Sequence, residues 1–255
     1  MPPTRLYGSR LRTALNPVAD RVALMGLRNA DGIRTVTGYT TSLVRALGLE
    51  PADEFPAFMD FDSFLQEPTK PLPERPQALF VGVLERYKNV DGLADAWRLA
   101  APQVPGARLR LVGTGTLRPV VEQLLRDVPA QTSWDESLSQ PEVSHALDES
   151  TFLVLPSRSE GMGRVLVEAF CRARPVVASR VGGIADLVEH ERNGLLVEQG
   201  DTHALAEALV RTLTDRELVQ RLANAAHASA DLWTSSAEEF AVRVRALVEQ
   251  IAGLR

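Results

Sequence analysis

The sequence predicts an α/β fold, a doubly wound parallel sheet running from about Gln77 to Asp231, and three observations predict it. Short, continuous apolar runs recur at Ala78–Gly82, Leu109–Val112, Phe152–Leu155, Pro175–Ala178 and Leu195–Val197. Between them the apolar residues shift to helical spacing, at Val90–Ala101, Leu117–Arg126, Val165–Arg172 and Ala204–Leu213. Strands apolar on both faces, each followed by a helix, belong to a parallel sheet covered on both sides. With 255 residues, 45% of them hydrophobic, there is enough apolar surface to fill such a core.

The elements follow in order. Arg5–Leu49 is helix-like and polar in patches. Glu50–Pro76 then carries Pro51, Pro56, Pro68, Pro71, Pro73 and Pro76. Each proline removes a backbone donor and disfavours helix in the residue before it, so this stretch reads as a connector with a domain boundary near 65–76. The strand and helix alternation occupies the middle of the chain. Ser139 and Glu142, and likewise Ser236 and Glu239, have the spacing of a capping box, and the second pair opens a terminal helix, Ser236–Leu254. Phe240, Val244, Leu247, Val248 and Ile251 share one side of that helix and need something to bury against. The alanine-rich tract Leu222–Ala230 is good helix former, and no repeat or low-complexity segment is present.

Composition excludes several functions. Thirty-three acidic against 28 basic residues leave a net charge of -5, which disfavours a general binder of nucleic-acid backbone. There is no run of eighteen apolar residues and no apolar core of a secretion signal, so no transmembrane segment and a cytoplasmic location are expected. Cys171 is the single cysteine and sits in an apolar helical stretch, as a core residue. His145, His190, His203 and His227 lack ligand spacing and are expected at the surface, and no metal site is expected. Asp60-Phe61-Asp62 imitates a paired-carboxylate cation site, but its place in the connector favours a solvated or capping loop.

The chemistry concentrates in Pro156–Ala169, which follows a strand and leads into a helix. In a doubly wound sheet, ligands bind beyond the carboxyl ends of the strands. Gly161 and Gly163 leave the turn free of side chains, so amides at the helix start can approach an anion such as a diphosphate. Glu160 precedes that turn and Glu168 lies within the helix. Carboxylates are poor phosphate ligands and good acceptors for hydroxyls, so the pair suits sugars on the two sides of a diphosphate. That is the layout of a nucleotide sugar. Gly182-Gly183 reads either as a tight turn or as a close backbone approach to the ligand, and Tyr87 and Trp134 read as core or surface aromatics or as a base-stacking platform. The charges of Arg118–Arg126 read as a solvated helix face.

Glu160 and Glu168, within Ser-Glu-Gly-Met-Gly-Arg-Val-Leu-Val-Glu-Ala, resemble the signature of glycosyltransferase family 4, retaining enzymes of the GT-B fold. Arg174–Ile184, Asn193–Val197, Leu111–Gly115, and Phe80–Gly82 with Lys88 are similar to that family's other motifs, in the same order. The resemblance is close over 77–231 and weaker over 17–64, where Ala30–Thr37 resembles the last strand of an N-terminal GT-B domain and Phe58–Phe64 the interdomain link, with Met59 in place of a small residue.

The resemblance implies four domain segments: 1–64 as a remnant of the acceptor-binding domain, 65–76 as linker, 77–231 as the nucleotide-sugar-binding domain, and 232–255 as a helix packing back toward the first. It implies that Glu168 takes the ribose hydroxyls, and that Glu160, with the backbone of Gly161, Met162, Gly163 and Arg164, takes the sugar and phosphate. It implies that Lys88 neutralises the departing diphosphate and that Gly82 is a further donor-binding residue. Glu160 and Lys88 are then the catalytic pair. An arginine that the family places after the glycine is Val83 here, and Arg86 is the nearby substitute. The activity implied is retaining transfer of a hexose from a UDP- or GDP-sugar to an unknown acceptor, without a cofactor. A noncatalytic nucleotide-sugar-binding module is the alternative. On this resemblance most of the first domain is expected to be missing, which implies a chain that is truncated, split or completed by a protein partner, or self-association through the terminal helix.

Overall fold

The computed structural model describes residues 10–253. Its contacts group the chain into two compact units, Met1–Met59 with Ser235–Arg255, and Asp60–Thr234. The part of the helix-like N-terminal region before Arg10 and the predicted helix end at Leu254 lie outside the described residues.

In the first unit α1 (Arg10–Arg28) leads to β1 (Arg34–Thr35), α2 (Gly38–Ala46) and β2 (Asp53–Glu54). β1 and β2 pair in parallel, Arg34 opposite Asp53. Two strand residues each are far too few to hold together by their ladder alone. Side chains assist: the Thr35 and Thr41 hydroxyls lie 2.6 Å apart, and Thr41 donates to the Glu54 carboxylate. Thr37 caps α2, its hydroxyl accepting from the Thr40 amide at 3.3 Å while the Thr40 hydroxyl accepts from the Thr37 amide at 3.0 Å.

The second unit contains α3 (Asp62–Leu65), β3 (Gln77–Val81), α4 (Val90–Ala100), β4 (Arg108–Val112), α5 (Arg118–Asp127), β5 (Thr132–Asp135), α6 (Gln140–Asp148), β6 (Phe152–Leu155), α7 (Arg164–Cys171), β7 (Val176–Ser179), α8 (Ile184–Leu187), β8 (Gly194–Val197), α9 (Thr202–Thr214) and α10 (Arg216–Ser229). The sheet is six-stranded and parallel, in the order β5-β4-β3-β6-β7-β8. This is a doubly wound Rossmann-like sheet, as the sequence predicts. α5, α4 and α9 pack together in one layer, while α6 and α7 meet β3 and β6 with α3 and α10 packed onto them.

Two details depart from the sequence reading. β5 was not foreseen, because Thr132-Ser133-Trp134-Asp135 is mostly polar. It is the sheet edge, where one side of the strand has no neighbour and polar residues are tolerated. β7 begins at Val176, since Pro175 has no N–H for the ladder; its carbonyl still accepts from the Leu153 amide at 3.0 Å.

The connector is held firmly although it has little regular structure. Arg172 and Arg174, each 1% exposed, direct their guanidinium groups at its carbonyls. Arg172 donates to the oxygens of Phe64 (3.2 Å), Glu67 (2.7 Å) and Pro68 (3.0 Å), and Arg174 to those of Lys70 (3.0 Å) and Pro71 (3.1 Å). Asp148 balances the charge, accepting twice from Arg172 at 2.9 and 2.7 Å. Burial with a second guanidinium nearby lowers the Arg174 pKa to about 10, burial being the larger cause. These bonds place residues 60–76 with the second unit.

The last helix, α11 (Ala237–Ile251), belongs to the first unit and carries the expected capping box: Ser236 Oγ accepts from the Glu239 amide at 3.1 Å and Glu239 Oε2 from the Ser236 amide at 2.8 Å. Phe240 stacks edge-on against Phe55 with centroids 5.8 Å apart, and Leu247 is buried, while Val248 remains exposed. Cys171 is buried, as expected, and all four histidines are exposed. Among the described residues no helix is long and apolar enough to cross a membrane.

Candidate functional site

In the second unit the strand order reverses between β3 and β6: the chain leaves β3 toward β4 and returns to β6 on the other side. Such a switch point opens a crevice at the carboxyl ends of the two strands. Two loops border it, 82–89 after β3 and 156–163 after β6.

Arg158 stitches these loops together. Its amide donates to the Tyr87 carbonyl at 2.7 Å, its Nε to Asn89 Oδ1 at 3.0 Å and its Nη2 to Asp91 Oδ2 at 2.9 Å. Asn89 itself has φ 56°, a left-handed turn that joins a 3-10 turn at Arg86–Lys88 to α4. The stem of Lys88 runs over Gly82, where a Cβ would lie 3.7 Å from its Cε. Lys88 Nζ thereby reaches Glu160 Oε2 at 2.5 Å, with both side chains largely shielded, at 13% and 16% exposure. Ser157 Oγ donates to the same carboxylate oxygen at 3.4 Å. Tyr87 lies beside the pair, its ring 5.4 Å from Lys88 Nζ. Partial burial, then the charges of Glu160 and Glu85, raise its phenol pKa.

Gly163 is the N-cap of α7 and has φ 82°, a conformation that a side chain would strain. The loop after β7 locks the turn from the other side. The Gly183 amide donates to the Glu160 carbonyl at 3.0 Å, and a Cβ on Gly183 would overlap the Gly161 carbonyl oxygen. Gly182-Gly183 is thus a close backbone approach, with the 156–163 loop as its neighbour. Gly161 is exposed and Met162 half-buried, both ahead of the helix that carries Glu168.

Glu168 is buried, with Oε1 accepting from Arg164 Nε at 2.8 Å. Burial raises its carboxyl pKa, and the charge and hydrogen bond of Arg164 oppose that rise. Arg164 also donates from Nη2 to the Asp60 carbonyl at 2.8 Å and lies 5.6 Å from the Phe61 ring centroid. Asp60 Oδ1 accepts from the Asp62 amide at 2.9 Å, a capping role at the start of α3.

The structure therefore brings Gly82, Lys88, Glu160, Gly161, Met162 and Gly163 to one crevice, with Arg164 and Glu168 on the helix that leaves it. Val83 is 44% exposed and apolar. Arg86 is exposed and makes no side-chain hydrogen bond or ion pair among the described residues. Trp134 instead donates from Nε1 to the Gly113 carbonyl at 2.9 Å, with Arg118 over its ring at 4.9 Å. Arg158 and Asn89 are not singled out by the sequence reading, and Asp60 enters it only within Asp60-Phe61-Asp62, as a solvated or capping loop. Arg158 stands inside the quoted motif, but its partners are 67 to 71 positions away in the chain, and only the β3–β6 neighbourhood brings them near.

The family model "Glycosyl transferases group 1" matches residues 75–215. An uncharacterized glycosyltransferase of Methanocaldococcus jannaschii is 35% identical over 147 residues, which cover 56% of this chain and 40% of that protein. The chain spans 30 to 43% of the length of the first three curated relatives that it matches. Sucrose-phosphate synthase from Thermosynechococcus elongatus superposes with a TM-score of 0.78 at 23% identity, covering 100% of this chain and 65% of that one. HepE from Anabaena in complex with UDP-glucose superposes with a TM-score of 0.72 at 19% identity, covering 92% and 66%. Likeness at these identities shows a shared GT-B fold.

Proposed function

Because this chain belongs to the group 1 glycosyl transferases, a GT-B family, we propose that its second unit binds a UDP-hexose and serves transfer of the hexose, with retention of configuration, to an acceptor held outside that unit. The observation that carries this reading is the meeting of Lys88 and Glu160 at the switch point, at 2.5 Å. A cation there takes the charge that develops on a departing diphosphate, and a carboxylate takes sugar hydroxyls. The amides of 161–164 approach the diphosphate at the start of α7, and Glu168 takes the ribose hydroxyls. Lys88 supplies the countercharge, so the reaction needs neither metal nor cofactor. UDP is preferred to GDP because a structural neighbour holds UDP-glucose.

In mechanism, each group acts where charge or orientation changes. Before donor binding, Lys88 is neutralised by Glu160. The diphosphate draws Lys88 toward it, which frees the carboxylate for the hexose. As the glycosidic bond lengthens, negative charge grows on the diphosphate and Lys88 stabilises it, an interaction stronger in the transition state than in the ground state. Titration calorimetry with UDP and GDP tests the binding. Incubation with UDP-glucose, followed by NMR of the released anomer, tests turnover and stereochemistry. Absence of UDP binding overturns the reading.

One observation favours a second reading, a binding module without turnover: apolar Val83 faces solvent where the resembled family has a guanidinium. Slow donor hydrolysis that disappears in Glu160→Ala removes this alternative. UDP binding without hydrolysis supports it.

A further inference from the structure

The assignment of Glu168 to the ribose leaves the Arg164 side chain without a task, yet it is held from two sides at once. Its Nε and Nη2 point in different directions, to Glu168 Oε1 and to the Asp60 carbonyl, both at 2.8 Å. Its guanidinium also lies 5.6 Å from the ring centroid of buried Phe61. Both connector partners lead into α3, where the Phe64 amide donates to the Phe61 carbonyl at 2.8 Å and Arg172 holds the carbonyls of Phe64, Glu67 and Pro68. A continuous series of bonds thus runs from a buried arginine through α3 to the carboxylate. Oε2 of Glu168 makes no hydrogen bond among the described residues and is not sealed in the interior.

We propose that Arg164 is a positioning residue for the donor ribose: it ties one oxygen of Glu168 to the connector and so presents the other to the ribose hydroxyls. The proposal rests on the ribose assignment made above. A glutamate side chain has three rotatable bonds, and fixing them in advance spares the donor that ordering on binding. The task suits arginine, since only a planar fork grips a carboxylate and a carbonyl in two directions while stacking on a ring. The connector then contributes to nucleotide recognition without touching the nucleotide.

The test is titration calorimetry of this chain with UDP and with 2′,3′-dideoxy-UDP, which keeps the diphosphate and base. Arg164→Met keeps the aliphatic stem over Phe61 and is expected to weaken UDP about tenfold, one lost tether being worth roughly 1.4 kcal/mol, while dideoxy-UDP affinity stays unchanged. Retained dideoxy-UDP binding also reports an intact fold. Arg164→Lys, which keeps charge and stem, is expected to recover only part of the loss and serves as the second variant if Arg164→Met does not fold. Equal losses for both ligands, or no loss for UDP, overturn the proposal. Glu168→Gln separates the two levels: if it weakens UDP while Arg164→Met does not, the ribose assignment stands and the positioning role falls. If Glu168→Gln leaves UDP affinity untouched, the ribose assignment falls, and the positioning role falls with it.

Discussion

Lys88 and Glu160, 72 positions apart in sequence, form an ion pair at 2.5 Å across the one place in the sheet where neighbouring strands send their chains in opposite directions. In the function proposed above, each residue of the pair serves a different part of one ligand, and the two hold each other before it binds.

Substituting them is therefore expected to have unequal effects. Lys88→Met should lower UDP affinity about tenfold or more, since hydrogen bonds to charged groups contribute about 1.5–3 kcal/mol, and leave uridine affinity unaltered. Glu160→Gln should bind UDP at least as well as the parent, having lost a negative charge beside the phosphates, yet release no hexose from UDP-glucose. Calorimetry and a sugar-release assay measure the two. Parallel losses of UDP affinity in both variants contradict the division of labour.

Gly183→Ala is expected to cost about 1–3 kcal/mol of stability, in the range of overpacking substitutions, because the added methyl meets the Gly161 carbonyl. The displaced loop should also weaken UDP. Urea unfolding with and without UDP reads both, and a variant as stable as the parent means that the two loops are free to separate.

Asp148 neutralises Arg172 in a site closed to solvent. Asp148→Ala leaves that charge unpaired and is expected to destabilise the chain by about 3–5 kcal/mol, seen as a lower urea midpoint with an unchanged slope. A shift below about 1 kcal/mol would show that the connector carbonyls alone balance the guanidinium.

Burial, reinforced by the nearby Glu168 charge, pushes the Cys171 thiol up to about 12. Only the thiolate reacts appreciably with disulfide reagents, so Cys171 should resist dithionitrobenzoate at pH 8 and react at once in denaturant. Fast labelling of the native chain contradicts the packing around α7.

The ordinary carboxyl value for Glu168 is 4.5, and burial raises it in the folded chain. Between those two values the native chain binds the proton more tightly than the unfolded chain, so this residue's contribution to stability falls as pH rises through that window. The stability of the parent relative to Glu168→Gln is thus expected to decline from pH 4 to pH 7. A difference that stays flat or grows with pH means that the bond to Arg164 outweighs burial.

The sheet was legible in the sequence because its strands are apolar on both faces and its helices are not, so the period changes at each boundary. Phe152–Leu155 is read to the residue. Edge position hid β5, since Asp135 accepts from Arg110 at 2.8 Å instead of entering a core. The site was legible in its local part, Glu160 to Glu168, where glycines and acids stand close in the chain. Its remote part was not: Arg158 reaching Asn89, Arg164 reaching Asp60, and Gly183 against Gly161 depend on which strands are neighbours, and a single sequence carries no such signal.

The arginine-fastened stretch from Phe64 to Pro71 has a practical meaning for anyone dividing this chain. Its prolines look like a natural place to cut, and a fragment started there would leave two guanidiniums facing emptied acceptor positions in the interior. A fragment opened ahead of Asp60 carries its own fastening with it.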